Sequence, residues 1–132
     1  MDHIEFLITE RVYEIISWLW NIFPTLSGID LYSSVDIDQV ANEKVLVLKV
    51  ELPRQFKIVI QDYQLKIFHY HYMLLDPQED SVISFDNSPH YPELDNFPHH
   101  KHHYPKDEHS PVSFSGSLLD ALKEIKWVIN KS

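Results

Sequence analysis

Between residues 86 and 105 the chain holds five of its nine histidines and four of its eight prolines. His99, His100, His102 and His103 surround Lys101, with His90 upstream and His109 downstream. In an extended segment alternate residues share a face, so His100 and His102 point the same way. Imidazole is the side chain that donates and accepts protons near neutral pH. Lys101, between them, could stabilise charge on a phosphate. The same H-x-H pair could instead hold a metal ion, or the run could be a polar loop without chemistry. Spacing alone leaves these three readings open.

A second pair, His69 and His71, shares a strand face with Leu65, Ile67 and Met73. If the Asp76–Asp80 loop closes a regular hairpin with Leu75 opposite Ser81, then Met73 faces Ile83, His71 faces Phe85 and His69 faces Asn87. A slip of one residue would reverse that assignment. Asp86 and Asn87 open the His-rich segment. Asp-Asn starts turns because both side chains bond nearby backbone, and a carboxylate at Asp86 could orient an imidazole. The chain has no cysteine, which excludes disulfides, thiolate zinc sites and thiol nucleophiles. It has only two glycines, Gly28 and Gly116, which excludes a glycine-built phosphate cradle.

The elements that must carry these groups are legible in outline. Residues 2–23 lack Gly and Pro, and Pro24 stops them. Ile4, Leu7, Ile8, Val12, Ile15, Ile16, Leu19, Ile22 and Phe23 form a broad apolar helix face, with Phe6, Tyr13 and Trp20 as an aromatic stripe beside it. That arc exceeds what one sheet face covers. It points either to deep burial or to a dimer or partner surface along the stripe. Alternation marks strands near 29–38, 45–52, 56–61, 65–75 and 82–85. Short links without helices make the sheet antiparallel. Residues 86–112 lack periodicity and read as a long His/Pro-rich loop. Ser117 caps a final helix, with Asp120 as its reciprocal partner. The expectation is one α+β domain over residues 1–132, with about five antiparallel strands between an N-terminal and a C-terminal helix.

Twenty acidic residues against eleven Lys and Arg leave a net charge of −9 with His neutral. That argues against a basic coat for non-specific nucleic-acid or membrane binding. The apolar run from Val12 to Phe23 is too short and too interrupted to span a membrane, and the opening residues Met-Asp-His-Ile-Glu carry no basic n-region, so a secretory signal is not expected. A cytoplasmic protein is expected.

The run Ser84-Phe85-Asp86-Asn87-Ser88-Pro89-His90-Tyr91-Pro92-Glu93-Leu94-Asp95-Asn96-Phe97-Pro98-His99-His100-Lys101-His102 resembles a pattern of the TumE family of bacterial toxins. These are the toxin halves of TumE/TumA toxin–antitoxin pairs. That pattern has the form R-Y-D-N-A-P-H-H-P-E-L-x-T-F-P-H-H-K-H. Tyr70-His71-Tyr72 and the C-terminal helix also sit where the family has them. The resemblance spans roughly residues 65–130, and the first 60 residues carry no motif. Ser84, Phe85 and Tyr91 stand where the family has Arg, Tyr and His.

The resemblance implies a toxin neutralised by a cognate antitoxin protein and acting as a metal-independent endoribonuclease, with no cofactor and RNA as substrate. Its implied site comprises His100, His102, Lys101, His90, Asp86 and Asn87, and the residue reading adds His71. One of His100 and His102 would be the base and the other the acid. The alternative is a non-catalytic binding or regulatory protein whose His-rich loop holds a metal or a partner. Phe6, Tyr13 and Trp20 are the expected surface for a homodimer or the antitoxin.

Overall fold

The computed structural model describes residues 3–35, 44–64, 68–104 and 111–131. Helix α1 spans His3–Ile22, ending just before the proline that cannot continue it. Strands β1 (Gly28–Val35), β2 (Lys44–Glu51), β3 (Lys57–Gln64), β4 (Phe68–Leu75), β5 (Ser81–Asp86), β6 (His100–His103) and β7 (Val112–Ser113) precede helix α2 (Leu118–Asn130). The strands form one sheet in chain order, and each pairs antiparallel with the next.

The class is therefore α+β, with seven strands among the described residues rather than about five. The two additions come from the segment expected to be loop. No apolar alternation announces β6. Its extended state comes from the ladder with β5, where Ile83, Ser84, Phe85 and Asp86 face His103, His102, Lys101 and His100.

One face of the sheet is the core. Leu48, Ile60, Tyr72 and Phe85 form a buried row across β2 to β5. Ile15 and Leu19 of α1 and Leu118, Ala121, Leu122 and Ile125 of α2 join the same cluster, so both helices cover this face. Fully burying one such side chain contributes about 1.5–3 kcal/mol, which makes this the face that holds the fold together. Asp62 is fully buried there. It accepts from Arg11 Nε at 2.9 Å and from the Tyr72 hydroxyl at 3.2 Å. Burial alone would lower the Arg11 pKa, but Asp62 outweighs it and holds the guanidinium charged.

Ser117 caps α2, accepting from the Asp120 N–H at 3.3 Å. The expected reciprocal bond does not form. Ser115 Oγ donates to Asp120 Oδ2 at 2.8 Å and accepts from the Ser117 N–H at 3.2 Å. A neighbouring hydroxyl thus bridges the two groups.

Candidate active site

The site lies on the sheet face away from the helices, and a single bulge puts it there. Leu75 pairs with Ser81 as the turn predicts, but Leu74 pairs with Ile83, so Val82 is one residue extra in β5. Such an insertion moves every later residue to the other face. Met73 therefore faces Ser84 rather than Ile83, and His71 faces Asp86 rather than Phe85. The expected pairing of His69 with Asn87 is also absent. Asn87 has left the ladder and replaces it with its side chain. Its Oδ1 accepts from the Tyr70 N–H at 3.0 Å, and its Nδ2 donates to the Phe68 carbonyl at 2.7 Å.

Register then aligns His71, Asp86 and His100 in one row across β4, β5 and β6, with Ser84 and His102 in the next. His100 Nε2 lies 3.0 Å from Asp86 Oδ1, and His102 Nε2 lies 3.9 Å from Asp86 Oδ2. The Ser88 N–H donates to Asp86 Oδ1 at 2.9 Å and fixes the carboxylate. The His100 and His102 ring centroids are 5.0 Å apart, and Tyr91 packs edge-on against both, at 4.9 and 6.0 Å. His100 is 2% exposed, whereas the Asp86 and His102 side chains keep 17% each. Burial pushes the His71 pKa down, and Asp86 only partly offsets it.

The proton count at His100 is informative. Its Nδ1 lies 2.9 Å from the Pro98 carbonyl, which can only accept, so Nδ1 carries a hydrogen. A neutral His100 would then present a bare lone pair on Nε2 to a carboxylate oxygen. Two acceptors do not rest at 3.0 Å with nothing between them, so this contact calls for a proton shared by His100 and Asp86 or for another cation.

The remaining candidates lie elsewhere. Lys101 alternates to the helix face, where Nζ pairs with Glu124 Oε1 of α2 at 2.6 Å. His103 Nε2 is 4.0 Å from the same carboxylate oxygen. His90 is exposed, edge-on to Tyr91 at 6.4 Å. His99 Nδ1 bonds the Tyr70 hydroxyl at 2.9 Å, and the two rings stack. Burial, then the His100 charge, pushes His99 down. His109 lies outside the described residues. The structure thus brings together Asp86, His100 and His102 with His71 alongside, and does not bring Lys101 to them.

Two contributors escaped the sequence reading. Tyr104 stacks on the His102 ring at 6.1 Å, a contact that period-two alternation from His102 would have flagged. The Pro98 carbonyl had no sequence signal at all. A cleft of about 270 Å³ beside Asp86 is lined by His69, His71, Tyr63 and Tyr70. A larger cavity of about 420 Å³ lies near the ends of both helices, lined by residues such as Phe23, Leu52 and Ile129, without imidazole or carboxylate. The smaller cleft shares Asp86 and His71 with the site, but neither His100 nor His102 lines it.

The fold and site define an antiparallel α+β protein with an Asp–His–His centre on its open sheet face. The chain belongs to the Toxin TumE family, whose model matches residues 30–129. That match reaches well upstream of the histidine motif and takes in most of β1 and all of β2 and β3. The chain is thus a toxin of a toxin–antitoxin system, with an antitoxin as partner. No curated protein and no solved structure matches it. Among the described residues no helix is long and apolar enough to cross a membrane.

Proposed function

We propose that the toxin acts as an endoribonuclease in the cytoplasm, through acid–base chemistry at Asp86, His100 and His102. The observation that carries the reading is the His100–Asp86 contact, whose geometry calls for a shared proton or another cation. With a proton there, His100 is a protonated acid beside His102, an imidazole with a solvent-facing edge. His102 takes the proton of a ribose 2′-hydroxyl as the 2′-oxygen attacks phosphorus. The bond from phosphorus to the 5′-oxygen breaks, and the leaving oxygen receives the proton that His100 shares with Asp86, whose carboxylate is the more exposed of the two. The products are a 2′,3′-cyclic phosphate and a 5′-hydroxyl, so no metal, water or redox partner is consumed. Tyr104, 42% exposed and stacked on His102, offers a base a flat ring, the sequence-tolerant contact used for single strands. His71 lines the cleft on the far side of Asp86.

Tyr13 and Trp20 are 70% and 50% exposed on α1, and this aromatic stripe is the surface we assign to the antitoxin. The Phe6 side chain lies outside the described residues. The test is growth arrest on expression, together with cleavage of a defined RNA by the purified chain. His102→Gln and Asp86→Asn should each lower the rate at least a hundredfold, within the range of acid–base contributions, with the thermal midpoint nearly unchanged. Lys101→Met, on the other face, should keep most of the activity. Full toxicity of both site variants would refute the reading.

A further inference from the structure

We propose that Asp86, His100 and His102 also form a three-ligand site for a divalent transition cation of the zinc class, and that the bound ion blocks the proton transfers. One donor atom from each residue lies within 4.8 Å of the other two. Zinc–nitrogen and zinc–oxygen bonds of about 2.0–2.1 Å set tetrahedral ligand atoms roughly 3.3 Å apart. His100 Nε2 lies 3.0 Å from Asp86 Oδ1 and His102 Nε2 lies 3.9 Å from Oδ2, and the three donor atoms lie within 4.8 Å of one another, so binding draws the donors together by about 1.5 Å at most.

The supporting contacts are those a metal site needs. Pro98 accepts the Nδ1 hydrogen of His100, which leaves the Nε2 lone pair directed at the carboxylate. A ligating imidazole is commonly held by such an outer partner. Ser88 fixes the carboxylate in the same way. Tyr91 walls both rings. The ladder between Ser84 and His102 and between Asp86 and His100 sets the spacing from backbone geometry. Two imidazole nitrogens with one carboxylate favour zinc, cobalt or nickel over magnesium or calcium, which prefer oxygen. Three protein ligands leave a coordination position open toward solvent.

Blocking rests on the endoribonuclease reading, whereas binding does not. A metal on Nε2 of His102 occupies the lone pair that would accept the 2′-hydroxyl proton. A metal on His100 takes the place of the proton meant for the leaving oxygen.

The experiment uses the untagged full chain and two probes, zinc ion by calorimetry and cobalt(II) by its visible absorption. One equivalent of either should bind, with cobalt giving the intense bands of a four- or five-coordinate ion, and magnesium should not compete. Asp86→Asn and His102→Gln should each weaken binding at least tenfold while circular dichroism stays unchanged. Absence of binding, or unchanged binding in both variants, overturns the site. RNA cleavage is then followed with zinc and with chelator. Loss of cleavage with zinc and recovery with chelator support the block. Zinc binding accompanied by faster cleavage overturns the block and the metal-free mechanism together but leaves the site standing. Cleavage that continues in the chain that fails to bind zinc overturns the site alone.

Discussion

At the scale of single residues, Asn87 shows how the chain changes from strand to loop without losing its hydrogen bonds. Strand β5 ends at Asp86, yet the backbone of β4 continues to Phe68 and still needs partners. The Asn87 amide supplies one donor and one acceptor, much as a further strand residue would. Asn87 itself is buried. Asn87→Ala should therefore cost about 1–3 kcal/mol, because it orphans two backbone groups. Urea unfolding checks this. A loss below a few tenths of a kcal/mol would mean that water replaces the amide. The same residue separates anchoring from chemistry: Asp86 turns its carboxylate to the histidines, while its neighbour turns to the frame.

At the scale of elements, the approach to α2 depends on one glycine. Gly116 has φ of +88°, and a Cβ there would sit 2.7 Å from His99 Nδ1. The ring of His99 is held in turn by the Tyr70 hydroxyl, so it has little freedom to retreat. Gly116→Ala combines an unfavourable dihedral with a steric conflict and should destabilise by about 1–3 kcal/mol. Gly28→Ala is the control, since a Cβ at Gly28 meets nothing within 4 Å. Equal urea midpoints for the two variants would show that the His99 contact does not constrain the turn. Strand β6 makes a related point. Its neighbours Asp86 and Ser84 decide which way each histidine faces, and the bulge at Val82 decides which way Asp86 faces.

At the scale of the whole molecule, the helix-covered face carries a stack of phenols. Tyr70 and Tyr72 lie ring on ring at 4.6 Å. Burial pushes both hydroxyls well above their ordinary value of 10.0, with Asp86 adding to it at Tyr70 and Asp62 at Tyr72. The sign follows from proton counting. Once the pH rises past about 10, the unfolded chain releases phenolic protons that the folded chain keeps, so the balance shifts toward unfolding. Stability should hold below that pH and fall steadily above it, with Tyr72→Phe reducing the slope. Thermal midpoints measured between about pH 8 and pH 11 test it. A flat profile would contradict the burial of these groups.

What the sequence by itself determined follows from patterns that are local. Helix boundaries came from Pro24 and from the Ser117 cap, and the antiparallel class came from strands joined by short links. The pairing of His100 with His102 needed only the two-residue period of extended chain. The motif from Ser84 to His102 carried the family. Tertiary structure decided the rest, because those facts depend on partners distant in sequence. Val82 looks like any strand valine, and only the register of β4 against β5 makes it the extra residue that turns Asp86 toward the histidines. Lys101 sits between two histidines in sequence, but the pleat sends it to Glu124, 23 positions away. His99 looks equivalent to His100 on paper. A single step along the chain puts one ring against Tyr70 and the other on Asp86, since adjacent residues of extended backbone face opposite sides.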